Sequence, residues 1–306
     1  MHGHETKDGQ RHGRGHEIEE WHGVEPVAGQ DIRGALPDRQ DVPGALPDGL
    51  AAAIRETAGD IAALLRRGAD TGLPVPGSEW SVGEAAAHLA QANELMADIA
   101  AGHARSYGDG TPQSLASANE QALAEFDERR AEPLAAMIVA QADAYLKAWD
   151  EGPTEETVVT PLGPMAPAVL GSYLLTHMLG HGYDLARALG RPHMIDRARV
   201  ELTLPFLVTA MPRVTDTSRA AGLTADYAIR LWSGARFGVT VTNGAVCVDS
   251  TPPARPACTI LIEPVTFLLM ALGRRGQWSA LARGHILVRG RKPWLAPRFP
   301  ALFKAP

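Results

Sequence analysis

The sequence predicts two architectures in series: an antiparallel bundle of four helices over 46–195, then a small α+β domain over 196–306. A disordered tail over 1–45 precedes them. Three observations support this division. Apolar residues recur at three-to-four spacing from about 47 to 189. Short β-rich runs, one pair joined by Asn243-Gly244, take over after about 225. The first 45 residues show neither pattern, and a length of 306 suits about two domains.

The tail holds five of the eleven histidines (His2, His4, His12, His16 and His22) and nine acidic against five basic residues. A near-repeat closes it, Asp31 to Gln40 followed by Asp41 to Leu50. Such composition buries too little surface to offset chain entropy. Its histidines suit metal binding in principle, but a solvated tail is the simpler reading.

Leu50, Ile54, Ala58, Ile61 and Leu65 mark the stripe of the first helix, which ends in the Gly/Pro-rich loop from Thr71 to Gly77. The second opens with Ser81 and Glu84, a capping box, and runs to about Gly102. Its inward stripe is Ala85, His88, Ala92, Leu95 and Ile99. A third helical region covers Leu115 to Asp150, with a bend or restart expected at Glu132-Pro133. The fourth helix runs from Pro167 to Leu189, stopped by Gly190 and Pro192. Four helices with such loops suggest an antiparallel bundle. Strands follow at Asp226–Trp232, Arg236–Thr242, Ala245–Val248, Cys258–Ile262 and His285–Val288, with a helix at Pro264–Leu272.

Composition excludes several classes. With 29 basic and 35 acidic residues, net −6, the chain lacks the strong positive field of a nucleic-acid binder. Two cysteines make no disulfide scaffold and fit a reducing compartment. No apolar run approaches the ~20 residues of a membrane span, and the N-terminus does not read as a signal peptide. The expectation is a cytoplasmic protein, a monomer, with neither nucleic acid nor membrane as partner.

The chemistry concentrates in the fourth helix. His177 and His181 are four apart, so they share a face about 6 Å apart along the axis. They lie on the apolar stripe Leu170, Leu174, His177, His181, Leu185, while His88 is the one strongly polar member of the second helix's stripe. Three inward imidazoles each need a partner. A divalent metal satisfies all three and leaves open positions, as in catalytic zinc sites. The plainer alternative gives each histidine its own hydroxyl or carbonyl. Asp184 is placed to orient a ligand imidazole or simply to sit near the helix end. Arg187 is placed to meet an anionic substrate or to cap the helix. His103, His193 and His285 lie off this constellation, and Cys247 and Cys258 read as inert core thiols.

Trp80-Ser-Val-Gly-Glu-Ala-Ala-Ala-His88-Leu and His181-Gly-Tyr-Asp-Leu-Ala-Arg-Ala-Leu-Gly190 resemble the mycothiol-dependent maleylpyruvate isomerase family. Pro264 to Gly273 and Arg298 to Phe303 resemble the second domain that often follows in it. The resemblance covers about 46–306. It implies a DinB-like four-helix bundle followed by a sterol-carrier-protein-like domain. It also implies a divalent metal, usually zinc with nickel or iron as alternatives, held by a histidine after the tryptophan motif and a Glu-x-x-x-His pair. His88 and His181 match those positions; the glutamate position is His177 here, and three histidines are common in the wider DinB-like group. With imidazole in place of carboxylate the site carries one negative charge fewer, which sharpens the metal as a Lewis acid. The resemblance further implies mycothiol, the small thiol of actinobacteria, as cosubstrate, attacking an electrophilic small molecule by S-transfer or cis–trans isomerisation. The alternatives are a thiol-free metal-dependent hydrolase or lyase, and a non-catalytic binder of a small hydrophobic ligand.

Overall fold

The computed structural model describes residues 46–304 apart from 104, 106 and 153–155; the tail expected over 1–45 lies outside the described residues. Helices α1 (Leu50–Arg66), α2 (Val82–Ala100), α3 (Leu115–Ala124) and α4 (Ala131–Asp150) come first. A short hairpin, β1 (Val158–Thr160) and β2 (Gly163–Met165), leads into α5 (Pro167–Ala188), α6 (Arg197–Ala210) and the single turn α7 (Thr217–Ala220). Then come β3 (Ala225–Leu231), β4 (Arg236–Thr242), β5 (Ala245–Asp249), β6 (Cys258–Ile262), α8 (Pro264–Ala271), α9 (Gln277–Ala282) and β7 (Ile286–Arg289). The protein is thus a mixed helical and sheet structure.

The four long helices meet pairwise: α4 packs on α1 and α2, and α5 packs on the same two. Their stripes explain why. Leu50, Ile54, Ala58, Ile61 and Leu65 of α1 are all essentially inaccessible to water, and each fully buried leucine or isoleucine contributes about 1.5–3 kcal/mol of transfer free energy. Small residues let α5 approach closely. A methyl group on Gly171 would stand 2.9 Å from the Tyr145 hydroxyl and 3.0 Å from Leu50.

The expected break at Glu132-Pro133 falls elsewhere. The chain leaves α3 at Ala124, and Pro133 sits in the first turn of α4, where its missing N–H has no intrahelical partner to lose. Helix α6 is an element the periodicity did not reveal. It carries Pro205 internally and buries Val200, Leu204, Phe206 and Val208 on more than one side, because it lies against both α5 and α8.

The sheet has strand order β5-β4-β3-β6-β7, with β3 and β6 parallel and the other pairs antiparallel. Register puts Tyr227, Ile229, Cys258, Ile260, Ile286 and Val288 on one face, all buried or nearly so. Asn243 (φ 50°) and Gly244 (φ 90°) form the tight β4–β5 turn, whose two left-handed residues match the twist of the strands. Cys258 is buried as expected, but Cys247 is exposed: β5 is an edge strand, and Cys247 stands on its solvent side.

Candidate metal centre

His88 stands on α2, one turn after the capping box. The Glu84 N–H donates to the Ser81 hydroxyl (3.3 Å), and the Ser81 N–H donates to the Glu84 carboxylate (2.7 Å). This fixes where α2 begins and therefore which way His88 points. His177 and His181 stand on α5, interleaved with glycines. A methyl group on Gly180 would meet Leu272 at 3.1 Å, and one on Gly182 would meet Met194 at 2.9 Å and Ile61 at 3.1 Å. The glycines therefore let neighbouring segments close against the helix exactly where it presents its histidines.

The structure brings the three histidines together. One nitrogen from each lies within 4.8 Å of the others, and Nε2 of His88 and Nε2 of His177 are 3.1 Å apart. Those values bracket the ~3.4 Å between nitrogens that share a tetrahedral ion at ~2.1 Å. Among the described residues this is the one such group of histidine, cysteine and carboxylate donors. Burial pushes His88 down to about 4, and burial together with the neighbouring imidazoles and Arg274 holds His177 and His181 well below the usual histidine range. All three rings are therefore neutral near pH 7, with lone pairs available. Two neutral rings can share one proton across the 3.1 Å gap, but that leaves the third imidazole out, and Nδ1 of His177 is buried with no hydrogen-bond partner. The donor set fits a borderline divalent ion.

Trp80, from the motif that precedes His88, covers the cluster. Its ring centroid is 4.8 Å from that of His88 and 6.1 Å from that of His181. Asp184 lies 3.9 Å from Nδ1 of His181, beyond hydrogen-bond range. Its close partner is Arg274, whose Nη2 donates to the carboxylate at 2.8 Å. Arg187 is exposed and places its guanidinium 5.7 Å over the Tyr183 ring. The remaining described histidines stand apart. His193 accepts from the Ile195 N–H, His285 pairs with the Thr266 hydroxyl at 2.8 Å, and His103 is exposed near Asp98.

Arg274 is the site residue that sequence reasoning missed. It follows α8 and lies 90 positions from Asp184, so no local pattern links them. The cluster opens into a cavity of about 1320 Å³, lined on the helical side by Tyr173, His177 and Arg187 and on the sheet side by Ile229, Ile260 and Phe267.

The family model for the mycothiol maleylpyruvate isomerase N-terminal domain matches residues 29–186, just over half of the chain. None of the curated proteins matches it. Among solved structures, the chain is similar to the mycothiol-dependent maleylpyruvate isomerase, at 15% identity and TM-score 0.45 over 76% of this chain and 91% of that one. Its H52A mutant gives 14% identity and TM-score 0.49 over 79% and 93%. The stereoselective inverting sec-alkylsulfatase Pisa1 from Pseudomonas sp. gives 15% identity and TM-score 0.29 over 76% of this chain and 34% of that one.

Proposed function

This chain belongs to the mycothiol maleylpyruvate isomerase family, and we propose that it is a metal-dependent thiol enzyme whose ion is held by His88, His177 and His181. The observation that carries this reading is the convergence of three neutral imidazoles from two helices at the wall of a cavity. In the same reading 46–195 is a DinB-like four-helix bundle and 196–306 a sterol-carrier-like α+β domain, which the pairwise packing of α1, α2, α4 and α5 and the five-stranded sheet support.

A free thiol is only a few per cent thiolate at neutral pH; a divalent ion in this donor set, zinc first and nickel or iron next, supplies the positive charge that keeps a thiol deprotonated. The chain's residues do the rest. The three imidazoles are held neutral by burial and so offer lone pairs without first losing protons. Trp80 closes one side of the cluster and limits water there. Asp184 fixes Arg274, which adds positive charge beside His181, and Arg187 gives the cavity a second cation for an anionic substrate. Mycothiol is the thiol proposed, by family. Its thiolate forms a C–S bond to an electrophilic carbon while the displaced electron pair moves onto the substrate. In isomerisation the C–S bond breaks again after rotation about the former double bond and the electron pair returns to it. In S-transfer the bond persists, and the displaced pair takes up the proton the thiol released or departs with a leaving group that does. Because imidazole stands at His177 where the family has a carboxylate, S-transfer or a divergent reaction is preferred to maleylpyruvate isomerisation itself.

The test is thiol consumption by the full chain against a panel of electrophiles, before and after chelation and with metal restored. Turnover that needs both thiol and metal supports the proposal. Turnover in thiol-free buffer identifies water activation, hence a hydrolase or lyase. The size and apolar sheet-side lining of the cavity favour one further reading, a binder of a small hydrophobic ligand. In that case ligand affinity survives chelation and no thiol is consumed.

A further inference from the structure

We infer that the surface around Trp278, Leu281 and Trp294 docks onto an anionic lipid bilayer. This goes beyond the thiol chemistry and does not depend on it. Trp278 is 64% exposed, Leu281 46% and Trp294 66%. Among the described residues they are three of the seven large apolar side chains that stand out into solvent; Leu287 alternates with the cavity-lining Ile286 and Val288 and faces away. Trp278 and Leu281 are three apart on α9 and so share a face, and both line the same cavity as Trp294. Helix α9 and the turn that carries Trp294 both pack beside the edge strand β7. The three side chains thus line one cavity while standing out into solvent. Exposed patches of this kind mark interaction sites rather than ordinary surface.

Charge says what the patch meets. Residues 273–304 contain eight arginines and lysines and no acidic residue, in a chain whose net charge is −6. Arg283 follows Leu281 by two, and Arg291 and Lys292 directly precede the turn of Trp294. These three are exposed, and among the described residues none has a carboxylate within 4 Å; Arg289 alternates with the cavity-lining Val288 and stands on the other face of the sheet. Unpaired cations beside tryptophans are the composition of a peripheral membrane surface. The indole rings settle at headgroup depth, and the cations meet anionic lipid. Leu281 offers no ring on which a base could stack, and the patch opens onto an apolar cavity rather than a cationic groove, so a bilayer suits it better than a nucleic acid. The contact is superficial, consistent with no described helix being long and apolar enough to cross a membrane.

The experiment is sedimentation of the full chain with vesicles of phosphatidylcholine mixed with phosphatidylglycerol, and with vesicles of phosphatidylcholine alone. The protein should pellet with the mixed vesicles at low salt, leave them at high salt, and ignore the neutral ones. Each cation near such a surface is worth about fivefold in partitioning, so the double variant R291Q/K292Q should partition roughly 25-fold less. W278A/W294A should also partition less. All four side chains are exposed, so both variants should melt like the wild type. The inference is overturned by no binding to the mixed vesicles, by equal binding to neutral ones, or by either variant binding like the wild type. A single-stranded oligonucleotide bound as tightly as the vesicles overturns it too, in favour of a nucleic-acid surface.

Discussion

Replacing Arg274 with methionine keeps most of the aliphatic stem and deletes the cation, which isolates what the guanidinium does. In the structure it donates to Asp184 at 2.8 Å, with the two side chains 20% and 10% exposed. Removing one partner of a buried pair strands the other charge and costs about 3–5 kcal/mol. The residual exposure of Arg274 puts this pair at the low end, about 3 kcal/mol. A chain of this size loses roughly 2–4 °C in Tm per kcal/mol, so Arg274→Met should melt about 6–12 °C lower. Asp184→Asn should also destabilise, because Arg274 then loses its negative partner and keeps only neutral acceptors, the amide oxygen and the Leu272 carbonyl. The double variant should melt well above the level that summing the two losses gives, because neither charge is then stranded. Thermal unfolding followed by circular dichroism on the four proteins measures the cycle. Single variants within about 1 °C of the wild type, or strictly additive losses, would refute the claim that this pair ties α5 to the segment after α8.

Removing the capping box by Glu84→Ala should cost about 1 kcal/mol. Hydrogen bonds from the Ser81 N–H and hydroxyl hold the Glu84 carboxyl below its ordinary value of 4.5. The folded state thus prefers the carboxylate. Its contribution is complete above the unfolded value and is lost as pH falls through the lower folded one. The Tm gap between wild type and Glu84→Ala should therefore be flat from neutral pH to about 5 and close in stronger acid; a gap that persists there refutes this origin. Gly171→Ala should cost about 1–3 kcal/mol, because its methyl group meets the buried Tyr145, Leu50 and Leu46 at 2.9–3.2 Å. Gly182→Ala should also destabilise: the end of Met194 can turn aside, but Cγ1 of the fully buried, β-branched Ile61 at 3.1 Å cannot. Denaturant midpoints measure both, and a variant as stable as the wild type contradicts this view of how α1, α4 and α5 pack.

The parts of the fold legible in the sequence were those governed by a local period. The stripe of α1 buries one face, so its spacing survives in the sequence; α2 and α5 are buried on most sides, and there it was the few polar members, His88, His177 and His181, that marked the side facing the cavity. The Asn243-Gly244 turn was legible because its backbone conformation restricts residue choice. Helix α6 was not, since its internal Pro205 argues against a helix and burial on several sides erases the period. Nor was the partner of Asp184, because an ion pair formed across 90 residues leaves no pattern in either segment. Cys247 was misjudged for a related reason: an alternating strand does not say which of its faces the sheet will cover.

The central claim is that His88, His177 and His181 hold one ion between them. Elemental analysis of the full chain after gel filtration tests it directly, alongside His88→Ala and His181→Ala and with melting curves to confirm that each variant folds. Wild type should carry a near-stoichiometric divalent metal and both variants only traces. Traces in the wild type, or the same metal content in folded variants, would contradict it.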